Sequence, residues 1–198
     1  MYYTQLILTA LIAYLIGSIP TGYLIVKAKT GQDIRTVGSG STGATNVKRV
    51  LGKKWFFTVM VLDAIKGATP VFLAKYLLPD SYGLFAVIAS ICVIIGHSKP
   101  VFLQFKGGKS VASGIGTIIA LNYIVGFGVA IIWAIITYVT RYVSLGSIIA
   151  VSVAPILMYY LKNPICYIVY CAIAAIYIIY LHRQNIQRLI KGEENKVR

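Results

Sequence analysis

The chain has 198 residues, 58% of them hydrophobic and only 12% charged, where an average soluble domain carries about 25% charged residues. That balance excludes an ordinary soluble globular protein. The net charge of +14, from 19 Lys and Arg against 5 Asp and Glu, would suggest a nucleic-acid partner in a soluble domain; in a polytopic chain it reports topology, and no nucleic-acid partner is expected.

A hydrocarbon core about 30 Å thick takes about 20 apolar residues of helix per crossing. In chain order, hydrophobic segments run from Tyr2 to Val26, Trp55 to Leu78, Tyr82 to Gly96, Val111 to Asn122, Tyr123 to Thr140, Ser147 to Leu161 and Ile165 to Leu181. The first lacks the basic start and small-residue cleavage site of a signal peptide and reads as an uncleaved span. Val111 to Thr140 reads either as one long tilted helix or as two short ones breaking near Leu121-Asn122-Tyr123. Charge decides between the counts. With seven spans and the N-terminus outside, the cytoplasmic segments hold 16 of the 19 basic residues, leaving Lys75 and Lys162 outside and Lys66 within a span, as the positive-inside rule requires. Six spans would expel the basic tail, and a five-span arrangement would place Arg141 to Ser147 outside. The expectation is therefore an all-α integral membrane protein, a single domain over residues 1–198. It is a polytopic bundle of about seven transmembrane helices in the plasma membrane, with short motif-bearing loops and the C-terminus on the cytoplasmic face.

Polar residues collect on that face: VGSGSTGATNVKR in the first loop, GHSKPVFLQFKGGKSVASG in the second, YVSLGS in the third and HRQNIQRLIKGEENK in the tail. Such one-sidedness argues for an interfacial site. A transport path would place polar groups near the midplane and in symmetry-related halves. Gly38 to Gly43 matches GxGxxG, but no strand precedes it, and Gly107-Gly108-Lys109-Ser110 copies only the end of a P-loop. What the two loops share is an anion cradle: N–H groups of a Gly-rich loop leading into a helix N-terminus, with Lys109 adding a full charge. Ser39, Thr45, Asn46 and Arg49 supply hydroxyl, amide and guanidinium donors in the same way. Membrane lipid headgroups are a second partner for such basic loops.

The nucleophile inventory is short. The only histidines are His97 and His182, and no Asp follows either at HxxxxD spacing. Cys92, Cys166 and Cys171 lie inside hydrophobic runs, with no metal-ligand spacing, so neither a metal nor a cofactor is expected. A phosphate-binding enzyme without a protein base can let the substrate's own phosphate take the proton while fixed donors stabilise developing charge. Asp63 and Lys66 share one face of the second span and read as a mutually neutralising pair that ties this helix to the loops, with direct substrate contact as the alternative.

Together the loops resemble the bacterial acyl-phosphate:glycerol-3-phosphate acyltransferases. The resemblance rests on GSIPTGYLI at Gly17 to Ile25, GSGSTGATNVKRVLGKK at Gly38 to Lys54, DAIKG at Asp63 to Gly67, GHSKPVFLQFKGGKSVA at Gly96 to Ala112, YVSLGSI at Tyr142 to Ile148 and HRQNIQRLIKGEE at His182 to Glu194. The family pattern has Asn where this chain has Ser41 and an aromatic where it has Lys99. The resemblance implies acyl transfer from an acyl phosphate to the first hydroxyl of glycerol 3-phosphate, giving 1-acyl-glycerol 3-phosphate and phosphate. It implies that Ser39, Arg49, Gly107, Gly108, Lys109 and Ser147 cradle phosphate, and that His182 and Asn185 orient the substrates. Thr45, Asn46, Arg188 and Glu194 would support the loops or the glycerol phosphate. A transporter or channel for a small phosphorylated anion is the competing reading.

Overall fold

The structure, a computed structural model, describes residues 2–78, 80 and 83–197; the Tyr82 start expected for the third span and the basic Arg198 lie outside them. Among the described residues the α-helices are α1 Tyr2–Ser18, α2 Thr21–Thr30, α3 Ala44–Leu51, α4 Lys53–Leu77, α5 Leu84–Ser98, α6 Val111–Leu121, α7 Tyr123–Thr140, α8 Val143–Tyr160, α9 Ile165–Leu181 and α10 Arg183–Ile190, with short 3-10 turns at Ile34–Thr36 and Val101–Leu103. Among the described residues there is no strand, so the GxGxxG run has no sheet to serve. Five stretches are long and apolar enough to cross a bilayer: Tyr2–Thr30, Lys53–Leu77, Leu84–Leu103, Tyr123–Thr140 and Val143–Tyr160. α9 and α10, bent by 62°, make a sixth when taken as one span, and α6 is a shorter apolar helix beside them.

Three boundaries bear on the sequence expectation: two differ from it, and the break inside Val111–Thr140 agrees with it. The first segment is interrupted at Ile19-Pro20, because Pro20 has no N–H to continue the helix. Lys66 Nζ reaches the Ile19 carbonyl there at 2.6 Å. The Val111–Thr140 stretch is two helices, and Asn122 is what separates them. Its side chain accepts from the N–H groups of Ile124 at 3.0 Å and Val125 at 3.1 Å, capping α7. The carbonyls of Ala120 and Leu121 at the end of α6 accept from Lys75 Nζ. Third, α8 starts at Val143, so Ser144 and Ser147 sit in its first turns and not in a loop.

α1 packs on α5, α4 on α5 and α6, and the chain closes through α7, α8 and α9 back to α5 and α6. The main core lies on α5, α6 and α9, with Ala89, Val93, Ile118 and Tyr170 fully or nearly buried. α4 and α6 touch backbone to backbone. A Cβ on Gly116 would lie 2.0 Å from the Ala64 carbonyl oxygen, and one on Gly67 would lie 2.2 Å from that of Ser113, the close approach that small residues permit between membrane helices. This crossing spans Ser113 to Gly116, two to five residues into α6, and Ala64 to Gly67, eleven to fourteen residues into α4. At 1.5 Å per residue, the Lys53 end of α4 therefore extends about 13 Å past the start of α6.

Candidate functional site

The space left beside that overhang is a pocket, with about 990 Å³ open including its mouth. Its walls are apolar: Phe56 and Met60 from α4, Val111, Ala112 and Ile115 from α6, and Trp133 from α7, whose ring stacks on Phe56 at 6.5 Å. Its mouth is polar. Ser39, Thr45, Asn46, Arg49, Lys109, Ser147, His182, Asn185, Arg188 and Glu194 all line this one cavity, although they come from four segments far apart in sequence.

Helix direction accounts for much of the site's electrostatics. The N-terminal turns of α3 (Ala44, Thr45), α6 (Val111, Ala112), α8 (Val143, Ser144) and α10 (Asn185) all border the pocket. The first N–H groups of a helix have no intrahelical partner and carry the positive end of its dipole. Four such termini around one cavity favour an anion before any side-chain charge is added.

The side chains form one network across the mouth. Lys109 Nζ donates to Asn185 Oδ1. Asn185 Nδ2 donates to Glu194 Oε1 at 2.6 Å, Ser144 Oγ donates to the same oxygen at 2.8 Å, and Arg188 Nε donates to Oε2 at 2.7 Å. Burial alone would push the Glu194 carboxyl up, but donation from Asn185, Arg188 and Ser144 outweighs it and holds the group below the usual glutamate range. Burial, reinforced by the Arg188 charge, pushes the Lys109 amine down to about 8, against the opposing pull of Glu194. A phosphate dianion entering here would restore that charge. The tail beyond Glu194 is tied down too, with Val197 N–H on the Arg141 carbonyl at 2.8 Å and Lys196 over the Tyr142 ring.

His182 is buried where α9 ends and α10 begins. Its Nδ1 lies 2.8 Å from the Ile178 carbonyl. A carbonyl only accepts, so Nδ1 carries the proton and the neutral ring keeps its lone pair on Nε2. Nδ1 thus ties the ring to the end of α9, and Nε2 is the nitrogen left to face the pocket.

Several expected donors are committed elsewhere. Gly107 and Gly108 do not line the pocket, and their N–H groups donate to the carbonyls of Ser98 at 3.2 Å and His97 at 3.1 Å. The backbone that borders the pocket lies further on, from Lys109 to Ala112 at the start of α6. Asn46 organises the first loop: its Oδ1 accepts from Ser39 N–H at 2.9 Å, and its Nδ2 lies within reach of the carbonyls of Ile34, Val37 and Ser41. Gly38, at φ +62°, passes so close that a Cβ would meet Asn46 Oδ1 at 2.1 Å. Ser147 Oγ donates to the Val143 carbonyl and accepts from Trp133 Nε1 at 3.2 Å. Ser41 Oγ accepts from Gly43 N–H, and Lys99 offers its carbonyl to Tyr14. Arg49 and Ser39 are exposed at the rim. Asp63 and Lys66 do pair, at 2.9 Å, and Asp63 also reaches the pocket. Ser144, Phe56, Met60 and Trp133 were not singled out by sequence. Among the described residues, no group of three or more His, Cys, Asp or Glu side chains is placed to hold a metal ion.

A family model described as glycerol-3-phosphate acyltransferase matches residues 7–192. The glycerol-3-phosphate acyltransferase of Nostoc sp. is 42% identical, aligning 94% of this chain with 89% of that one. That of Prochlorococcus marinus is 44% identical over 96% and 97% of the two chains. Among solved structures, the glycerol 3-phosphate form of PlsY (YgiH), an integral membrane glycerol 3-phosphate acyltransferase, superposes with a TM-score of 0.92 at 38% identity, covering 98% of this chain and 96% of that one. The lysophosphatidic acid form of PlsY gives a TM-score of 0.90 at 36% identity, covering 98% and 95%.

Proposed function

The chain belongs to the glycerol-3-phosphate acyltransferase family, and from that premise we propose that it takes its acyl group from an acyl phosphate and transfers it to the first hydroxyl of glycerol 3-phosphate. The observation that carries this reading is the two-part pocket. A mouth with Lys109, Arg49, Arg188 and four helix N-termini suits phosphate, and a trough of Phe56, Met60, Ile115 and Trp133 suits a fatty chain.

In the proposed step, the glycerol oxygen bonds to the acyl carbon while the bond from that carbon to the phosphate oxygen breaks. The hydroxyl proton passes to an oxygen of the departing phosphate, which leaves as inorganic phosphate beside 1-acyl-glycerol 3-phosphate. Lys109, Arg49 and Ser39 hold phosphate. The free Nε2 of His182 accepts a hydrogen bond from the attacking hydroxyl, and Asn185 orients Lys109. Ser147 supports the α8 turn and Thr45 the start of α3. Holding both reactants in one cavity converts a bimolecular step into a near-unimolecular one. No protein base is required, because the donor brings its own.

The positive-inside count sets the N-terminus outside and the pocket on the cytoplasmic face of the plasma membrane. There the fatty chain reaches the trough sideways from lipid. The test is direct: purified protein is incubated with glycerol 3-phosphate and either an acyl phosphate or an acyl-CoA. Lysophospholipid should form from the acyl phosphate alone, because a thioester offers no phosphate oxygen at the reacting carbon. Efficient turnover of acyl-CoA would refute the donor. Absence of any product, with labelled phosphate crossing proteoliposomes, would favour transport.

A further inference from the structure

Below the mouth, and outside its hydrogen-bond network, α4 and α5 bring together three buried ionisable side chains: Asp63, Lys66 and His97. Lys66 is accounted for by Asp63 and by the Ile19 carbonyl. His97 is not. Its Nδ1 has no hydrogen-bond partner, and Asp63 Oδ1 lies 3.7 Å from it. The opposite edge of the ring lies against Gly108. A Cβ built on Gly108 would meet His97 Nε2 at 2.2 Å, Cδ2 at 3.0 Å and Cε1 at 3.2 Å, so the atoms it would crowd most closely all belong to this one ring.

Gly107 differs from its neighbour. A Cβ there would meet the His97 carbonyl oxygen at 2.3 Å and the Ser98 carbonyl oxygen at 2.9 Å, which is backbone that cannot move aside. Neither glycine has a positive φ, so alanine is conformationally acceptable at both and only the neighbours forbid it. The residue that follows is Lys109.

We propose that His97, facing Asp63 on one edge and seated on the other against the bare Cα of Gly108, is a positioning residue that sets the turn from which Lys109 reaches the mouth. Gly108 is a glycine to admit this ring and not to approach phosphate. The inference rests on the phosphate-holding role proposed for Lys109.

The experiment is a size exchange. His97→Asn keeps an amide donor toward Asp63 and removes the ring end that Gly108 faces. Gly108→Ala alone should lower kcat/KM for glycerol 3-phosphate on the order of 100-fold, the scale of a misplacement of about 1 Å. His97→Asn alone should cost on the order of 10-fold. The double variant should return to the level of His97→Asn, showing strong non-additivity between contacting residues. Gly107→Ala should not be rescued by His97→Asn. The alkaline limb of the pH profile, which reports the Lys109 amine, should move in Gly108→Ala and return in the double variant; a merely structural loss would scale activity and leave the limb in place. If Gly108→Ala does not accumulate as folded protein, recovery of folded protein in the double variant supports the proposal and its absence counts against it. Losses that multiply in the double variant overturn it. Near-normal activity of Lys109→Ala would instead sink the phosphate-holding role, with the size exchange unaffected, so the two failures are distinguishable.

Discussion

Glu194→Gln is the most informative single change at the mouth, because it preserves shape while removing a charge on which three donors converge. Its two oxygens accept from Asn185, Ser144 and Arg188 at 2.6, 2.8 and 2.7 Å. A glutamine can satisfy one side only. With its NH₂ toward Arg188 it sets donor against donor there; turned over, it sets donor against donor at Asn185, while the Ser144 hydroxyl can rotate to accept. The lost charge-assisted bond is worth about 1.5–3 kcal/mol, toward the lower end because the Arg188 side chain is 36% exposed. The group left unpaired adds about 1–3 kcal/mol, for a total near 3 kcal/mol. In a chain of this size that lowers Tm by about 6–12 °C, readable by thermal unfolding in detergent. Because Asn185 also accepts from Lys109, the freed amide should cost a further 10- to 100-fold in kcat/KM, about 1.4–2.7 kcal/mol of barrier. Ser144→Ala, which removes one neutral donor, should fall well short of both effects. A Glu194→Gln protein within about 1 °C in Tm and about twofold in rate of the parent would refute the idea that this carboxylate holds the mouth together.

Lys109→Ala and Arg49→Ala should each reduce turnover on the order of 10²- to 10³-fold while leaving thermal unfolding nearly unchanged; wild-type rates in membranes would make these charges topological. His182→Ala should retain measurable activity in the same assay, since orientation and not proton removal is lost, whereas loss of a general base costs about 10²- to 10⁴-fold; complete inactivity in a folded protein would point to histidine as the base. Because the Lys109 amine is held down to about 8 in the free protein, kcat/KM for glycerol 3-phosphate should fall as pH rises through that value, where the neutral amine no longer pairs with the dianion. kcat at saturation should hold to higher pH, since bound phosphate raises the amine again. Superimposable pH profiles for the two parameters would contradict this.

The apolar segments were legible because each span must be hydrophobic along its whole length, and counting the charges between them gives an expected cytoplasmic face. The breaks were less so. Pro20 and Asn122 are both visible in sequence, but a proline inside an apolar run does not by itself say whether the helix stops. The outcome at Ile19 depends on Lys66, 47 positions away, taking the open carbonyl. Motif reading singled out side chains that the fold brings together, since Ser39, Arg49, Lys109, His182 and Asn185 line one cavity. It could not say where backbone donors point. The Gly107 and Gly108 amides turn back onto α5, and the dipoles of α3, α6, α8 and α10 converge only through tertiary packing. Likewise His97 and Asp63 are 34 positions apart, so no local spacing rule would join them.

The shortness of α6 has an energetic meaning for a substrate that is half fat. Its 11 residues span only about 16 Å, roughly half the hydrocarbon thickness, and the overhang of α4 sets the floor of the trough about 13 Å below the Lys53 end of that helix. Drawing a fatty chain out of lipid costs about 0.8 kcal/mol per methylene, so lifting ten methylenes to a surface site would add about 8 kcal/mol to binding. A recessed reaction plane removes most of that cost, since the head descends to the chain and the tail never leaves hydrocarbon. Lengthening α6 at its N-terminal end by two turns would raise the floor, and the penalty should then grow with acyl length, sparing short-chain donors and excluding long ones.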